Sequence, residues 1–212
     1  MKIFILFGCI LLAACSNSKP NDEQKKDAAV TQTPINATDS FMGNESNLPE
    51  PAKEVIKVVK DFYVWYNTHF EEMNSYRLVS GCCDSSVKSP QQYRVNFSGA
   101  SKFFSKLSQT NAFSPGFIKA MNDSFKVYDA EMLKDKQAEG PPYGFESDFF
   151  IGGQETGEIL PNIAKAKFSH IKISDDTTSI TMTVPYTHYP SKYDVKLSLV
   201  KNESRWLIDK IE

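Results

Sequence analysis

The sequence predicts an α+β domain in which helices come first and an antiparallel sheet of about four strands follows. Apolar residues recur at helical spacing before Gly140-Pro141-Pro142 and at alternate positions after it. The Gly-Pro-Pro segment is itself typical of a turn between the two parts. Because helices and strands are segregated along the chain, we expect the helices to pack on one face of the sheet.

The first predicted helix is long and begins after Pro49-Glu50-Pro51. Its apolar residues fall at i, i+3, i+4, i+7, i+11 and i+15, which places them on one face of a helix. The opposite face is polar and charged, so we expect the aromatic face to belong to the core. The residues of that face are Val55, Val58, Val59, Phe62, Tyr66 and Phe70.

Two shorter helices are expected next. The second covers Ala100–Gln109, where aromatic and aliphatic residues repeat at helical spacing. The third begins at Pro115, because Ser114 is a favourable N-cap and proline is favoured in the first helical position. The polar stretch between Asn74 and Gln92 predicts irregular structure.

The four strands are predicted from runs of β-branched and aromatic residues separated by turn residues. Apolar and polar side chains alternate in them, which is typical of an antiparallel sheet with one wetter face. Pro185 lacks a backbone N–H, so the second strand is expected to lie at an edge or to contain a bulge. The strands are Lys165–Ile173, Ser179–Tyr189, Val195–Lys201 and Arg205–Ile211.

The first residues have the pattern of a secretory signal. Lys2 precedes an apolar run over residues 3–12, and this run is shorter than the roughly 20 residues that span a bilayer. It ends in Leu12-Ala13-Ala14-Cys15, which resembles the lipobox of bacterial lipoproteins. The resemblance implies cleavage before Cys15 and attachment of acyl chains, palmitate among them, to that cysteine. Ser16 then favours the outer membrane, with the protein facing the periplasm.

We therefore expect three parts: a signal peptide at 1–14, a lipid-anchored disordered linker at 15–51 and a single α+β domain at 52–212. The linker contains one aromatic residue, Phe41, and too little apolar surface to fold. A flexible segment of about 35 residues has a reach of roughly 30 Å, which gives the domain room to move at the membrane.

Charge and motifs argue against several classes of function. The chain has 24 lysines and arginines against 26 aspartates and glutamates, a net charge of −2 that gives no reason to expect a nucleic-acid partner. It contains no glycine-rich phosphate loop, nucleophile elbow or His-Glu-x-x-His motif. The histidines, at positions 69, 170 and 188, are too scattered to predict a metal site. We expect neither a cofactor nor a metal.

The pair Cys82-Cys83 is a disulfide candidate. With Cys9 in the signal and Cys15 lipidated, these two thiols remain in an oxidising compartment. Adjacent cysteines close only a strained ring, and strain makes a disulfide easier to reduce. A vicinal disulfide, intermolecular bridges and two buried thiols all stay open.

The order of elements and two motifs resemble a family of small secreted or lipid-anchored bacterial proteins, the domain of unknown function 3828. The motifs are Asp148-Phe149-Phe150-Ile151-Gly152-Gly153-Gln154-Glu155 and Trp206-Leu207-Ile208-Asp209-Lys210-Ile211. The resemblance covers residues 53–212 and implies a cystatin-like fold, similar to nuclear transport factor two, in which a curved antiparallel sheet wraps helices into a cone. It implies no activity, because none is attached to the family.

The first motif has two interpretations. Gly152-Gly153 permits positive φ angles, so the motif can be a structural turn between helices and sheet. In the second interpretation the polar residues of the motif lie at the mouth of the cone, where relatives of this fold build pockets. The candidate pocket residues are Asp148, Gln154, Glu155, Tyr186 and His188.

These observations favour a non-catalytic, lipid-anchored envelope domain that binds a small ligand or an envelope protein. One alternative is a small cone-fold enzyme in which Asp148 and His188 act as acid and base. Another is an immunity or inhibitor protein that acts against a toxin of the cell envelope.

Overall fold

The structure of the chain is a computed structural model, which describes residues 41–42, 45–81, 91–187 and 192–212. The predictions for Cys15, for Cys82-Cys83 and for His188 lie outside the described residues. Among the described helices, none combines the length and the apolar character that crossing a bilayer requires.

The predicted α+β class is confirmed. Helix α1 spans Glu50–Ser75, α2 spans Phe97–Ser108, α3 spans Pro115–Lys134 and the short α4 spans Thr156–Ile159. Turns of 3₁₀ helix precede α1 at Glu45–Asn47 and follow α4 at Leu160–Lys165. The strands are β1 (Phe41–Met42), β2 (Val79–Ser80), β3 (Arg94–Val95), β4 (Lys167–Ile173), β5 (Thr177–Pro185), β6 (Lys192–Asn202) and β7 (Arg205–Ile211).

The main sheet has the strand order β1-β4-β5-β6-β7, and every neighbouring pair in it is antiparallel. Strands β2 and β3 form a separate two-stranded ribbon. Ordered structure begins before residue 51, because Phe41 and Met42 pair with β4. This pairing satisfies backbone groups at what is otherwise an open sheet edge.

The expectation that Pro185 marks an edge or a bulge is wrong. Strand β5 lies between β4 and β6, and Pro185 is its last residue, where it pairs with Lys192. A missing N–H matters little at the end of a ladder, so proline is tolerated there. The bulge lies instead in β4, between Ser169 and Lys172, where His170 has a φ of 52°.

The core lies between the sheet and α1. The predicted aromatic face of α1 is confirmed, since Val55, Val59, Phe62 and Tyr66 are buried. Phe62 contacts a ring of aromatic side chains from three parts of the chain, including Phe113 at 4.6 Å and Phe150 at 5.2 Å between centroids. The sheet contributes alternate apolar residues, namely Phe168, Ile171, Ile180, Met182, Val184, Val195, Leu197, Leu199 and Ile208.

Both shorter helices begin at side-chain caps. Ser114 accepts a hydrogen bond of 2.9 Å from the Phe117 amide, which confirms the predicted start of α3. Helix α2 begins three residues earlier than expected, because the side chain of Asn96 accepts a hydrogen bond of 3.1 Å from the Gly99 amide.

The connection between α2 and α3 runs along β7. Ile208 donates its amide to the Ala112 carbonyl at 2.8 Å, and Ser114 donates to the Ile208 carbonyl at 2.9 Å. These two bonds form a parallel bridge between Phe113 and Ile208. The bridge holds the beginning of α3 beside the β6–β7 hairpin.

Candidate functional site

Asp148 organises the turn that the sequence analysis singled out. Its Oδ1 atom accepts hydrogen bonds of 2.8 Å from the amides of Phe150 and Ile151. Its carbonyl accepts a bond of 2.7 Å from the Gly152 amide, and its own amide donates to the Gly153 carbonyl at 3.0 Å. Gly152 has a φ of 76°, a conformation that glycine adopts without strain.

Two tyrosines of α1 hold this turn against the core. The Tyr66 hydroxyl donates to Asp148 Oδ2 at 2.5 Å, and the Tyr63 hydroxyl donates to the Phe150 carbonyl at 2.5 Å. Burial raises the pKa of the Asp148 carboxyl, although hydrogen bonds from Tyr66 and from the turn act to lower it. Burial and the nearby Asp148 carboxylate raise the pKa of both tyrosines. All three groups therefore hold their protons more tightly than in water.

One oxygen of the Asp148 carboxylate accepts hydrogen bonds from the turn, and the other oxygen accepts one from Tyr66. This arrangement favours the structural interpretation of the motif, because the carboxylate positions the backbone after α3. A groove of about 400 Å³ lies beside it, and both Asp148 and Gln154 line this groove. The Gln154 side chain is exposed and donates to the Glu146 carbonyl at 3.2 Å.

Two of the other predicted pocket residues, Glu155 and Tyr186, do not line this groove. Glu155 is exposed and precedes α4, while Tyr186 is half-buried and follows β5. Burial, Glu158 and Glu155 raise the pKa of Tyr186. Asp148 and Gln154 thus line one groove, while Glu155 and Tyr186 lie outside it. The proposed acid-base pair of Asp148 with the histidine at 188 stays a prediction.

A second, larger groove has a volume of about 740 Å³. We call it the helix–hairpin groove, because α2, residues 111–115, the beginning of α3 and the β6–β7 hairpin line it. Its floor consists of the buried residues Ala100, Phe104, Phe113 and Leu207. Phe97 extends this apolar surface and is 45% exposed.

Polar side chains surround the apolar floor. Serines and asparagines of all the lining segments contribute hydroxyl and amide groups, and the charged lining residues are Lys119 and Arg205. The polar lining residues without charge are Ser101, Ser108, Asn111, Asn122 and Asn202. No carboxylate lines the groove among the described residues. The groove therefore combines an apolar floor with amide groups and positive charge.

The two cations differ in their surroundings. Lys119 forms an ion pair of 2.6 Å with Asp123, which raises the pKa of Lys119. Lys119 and Lys126 together lower the pKa of Asp123 to about 2. Arg205 is exposed and forms no ion pair with any carboxylate of the described residues. Its guanidinium is free to bind a ligand.

Within the described ranges, no group of three or more histidine, cysteine, aspartate or glutamate side chains is arranged to hold a metal ion. His69 stacks on Trp65 at 4.6 Å between ring centroids, and its Nδ1 atom lies 2.8 Å from the Trp65 carbonyl. His170 is exposed at the β4 bulge. The described histidines therefore lie apart.

No pattern in the sequence predicted the helix–hairpin groove. Phe97 lies before the predicted second helix, and Arg205 was named only as the first residue of the fourth predicted strand. The groove forms where segments far apart in the chain meet, so no local motif marks it. The one available signal was Phe97, an apolar residue directly after the capping residue Asn96.

No family model matches the chain, and no curated protein or solved structure matches it either. The resemblance to the domain of unknown function 3828 therefore stays an expectation from the motifs. The case for function rests on the geometry of the described residues.

Proposed function

We propose that this chain is a lipid-anchored envelope protein and that its folded domain is a non-catalytic module that binds a ligand in the helix–hairpin groove. The observation that carries the binding function is the groove itself. Its volume of about 740 Å³ falls in the range of roughly 300–1,000 Å³ that small-molecule sites occupy. Its apolar floor also resembles such sites, although half of its lining residues are polar or charged.

The lipobox at Leu12-Ala13-Ala14-Cys15 supports the anchoring part of the proposal. Cys15 attaches the chain to the outer membrane, and the domain faces the periplasm. Its partners are then the membrane, through the lipid, and a ligand of the envelope in the groove. Two or three acyl chains hold a protein firmly, since each buried methylene contributes about 0.8 kcal/mol.

Binding can be tested with a neutral dye that fluoresces in apolar surroundings, N-phenyl-1-naphthylamine. The protein is the chain from residue 15 with Cys15→Ser, so that no acyl chain competes for the dye. Ser101 is exposed and lines the groove, so Ser101→Trp fills the groove with an indole ring. We expect this variant to weaken dye binding about ten-fold or more, a loss of about 1.4 kcal/mol.

The matched control is Lys102→Trp. Lys102 is also exposed on α2, but it does not line the groove. We expect this variant to bind the dye as the unsubstituted protein does. Equal dye binding by the two tryptophan variants would show that the groove is not the binding site.

A further inference from the structure

We propose that the ligand of the helix–hairpin groove is an amphiphile with an apolar body and a single carboxylate, and that Arg205 binds this carboxylate. The inference rests on the proposed binding function and adds the chemical class of the ligand to it.

The apolar part of the groove selects the body of the ligand. Phe104 and Phe113 present buried rings at the floor, and Phe97 adds an exposed ring beside them. Ile118 of α3 is half-buried and lines the same groove. Water leaves these surfaces when an alkyl or aryl group covers them, which is the source of hydrophobic binding. A wholly polar ligand would leave the aromatic surface exposed.

The charged part of the groove selects the head group. Lys119 and Arg205 are its only charged lining residues among those described, so the local charge is positive. Lys119 has a carboxylate partner, Asp123 at 2.6 Å, which it shares with Lys126 at 2.7 Å, whereas Arg205 is the lining cation with no carboxylate partner among the described residues. Glu203, two residues before Arg205, is exposed, does not line the groove and forms no described ion pair.

A carboxylate suits the geometry of this cation. Guanidinium donates two parallel hydrogen bonds to a carboxylate, and such bidentate pairs are both strong and directional. Asn202 faces Arg205 directly in the β6–β7 register and also lines the groove. Its side-chain amide supplies a further donor next to the guanidinium. A single anionic group on the ligand therefore complements the one lining cation that has no carboxylate partner.

Decanoate and decanol form the matched pair of probes, since they share an alkyl chain and differ in the head group. Each is titrated against dye bound to the chain from residue 15 with Cys15→Ser, near neutral pH. We expect decanoate to displace the dye at about ten-fold lower concentration than decanol, as a charge-assisted bidentate contact implies. Added salt weakens the decanoate interaction and leaves that of decanol unchanged.

The variant Arg205→Gln removes the charge, and we expect decanoate to lose its advantage over decanol. Lys102→Gln changes the net charge by the same amount from a position outside the groove. We expect this control to keep the preference for decanoate over decanol. Circular dichroism of both variants checks that they are folded. Equal displacement by the two probes, or a preference that survives in Arg205→Gln, overturns this inference. A dye that never binds the unsubstituted protein overturns the proposed function instead, before any competitor is added.

Discussion

Asp148 shows how one side chain connects a loop to the core. Its carboxylate joins the amides of Phe150 and Ile151 to the hydroxyl of Tyr66, which lies 82 residues earlier in the chain. A partly buried carboxylate is tolerated when its hydrogen bonds are satisfied in this way. Burial nevertheless disfavours its charged form, and this is why its pKa is raised in the folded protein.

The raised pKa of Asp148 makes stability depend on pH. The folded protein binds the proton more tightly than the unfolded chain, whose carboxyl has a pKa of about 3.9. The contribution of Asp148 to the free energy of unfolding therefore falls as pH rises from about 4 through the folded pKa. Asp148→Asn keeps an acceptor for the turn and removes this titration. We expect urea unfolding to show the wild type losing stability relative to the variant over that range.

The comparison of wild type with Asp148→Asn reports on Asp148 alone, because the other carboxylates with shifted pKa values are present in both proteins. Asp123 and Asp129 have lowered pKa values, owing mainly to hydrogen bonds from Lys119 and Arg94 respectively. Their contributions run in the opposite direction, since their stabilisation is lost as pH falls, and they cancel in the difference. A difference between wild type and Asp148→Asn that is constant with pH would contradict the prediction.

Helix α2 shows how a single element is placed. Asn96 caps it, and Gly99 in its first turn lies against the end of α1. A Cβ atom on Gly99 would lie 2.1 Å from the Tyr76 carbonyl oxygen and 2.9 Å from that of Arg77. Both oxygens belong to the backbone, so they cannot move away by a change of rotamer as a side chain can. The first turn of α2 therefore requires glycine for close approach to the chain after α1.

We expect Gly99→Ala to destabilise the protein by about 1–3 kcal/mol, the usual effect of overpacking a tight site. The matched control is Gly157→Ala in α4, where the added Cβ would meet only the Phe70 ring at 4.0 Å, an ordinary contact. Alanine has the higher helix propensity, so this control keeps or slightly raises stability. Thermal unfolding of both variants provides the measurement, and equal effects would contradict this account of α2.

At the scale of elements, periodicity and caps predicted much of the fold. The aromatic face of α1 and the start of α3 at Ser114 were predicted correctly, because each depends on residues within a few turns of one another. The start of α2 was missed, since Asn96 was not recognised as its cap. The position of β5 was wrong, because Pro185 indicates only a missing donor and not which strands are neighbours.

For the whole molecule, the testable feature is the anchor at Cys15. We expect the wild-type protein to incorporate a labelled palmitate analogue and to sediment with membranes, because cleavage at the lipobox creates an acylated cysteine. With Cys15→Ser, the label disappears, because the thiol that carries the acyl chains is absent. The amount of incorporated label and the distribution of the protein in cell fractionation are the two measurements. Ser16→Ala, adjacent in the chain, is the control and keeps the label; a labelled Cys15→Ser variant would contradict the proposed anchor.

The sequence by itself determined the α+β class, the inward face of α1, the cap of α3 and the alternation of the sheet strands. These features depend on spacing and on side chains that bond to their own neighbouring backbone. The tertiary structure decided the partners of Asp148 and the existence of the helix–hairpin groove. Tyr66 reaches Asp148, and α2 and the β6–β7 hairpin come to line one groove, only after distant segments pack together. Surfaces between such segments depend on how the elements pack, so a local pattern does not reveal them.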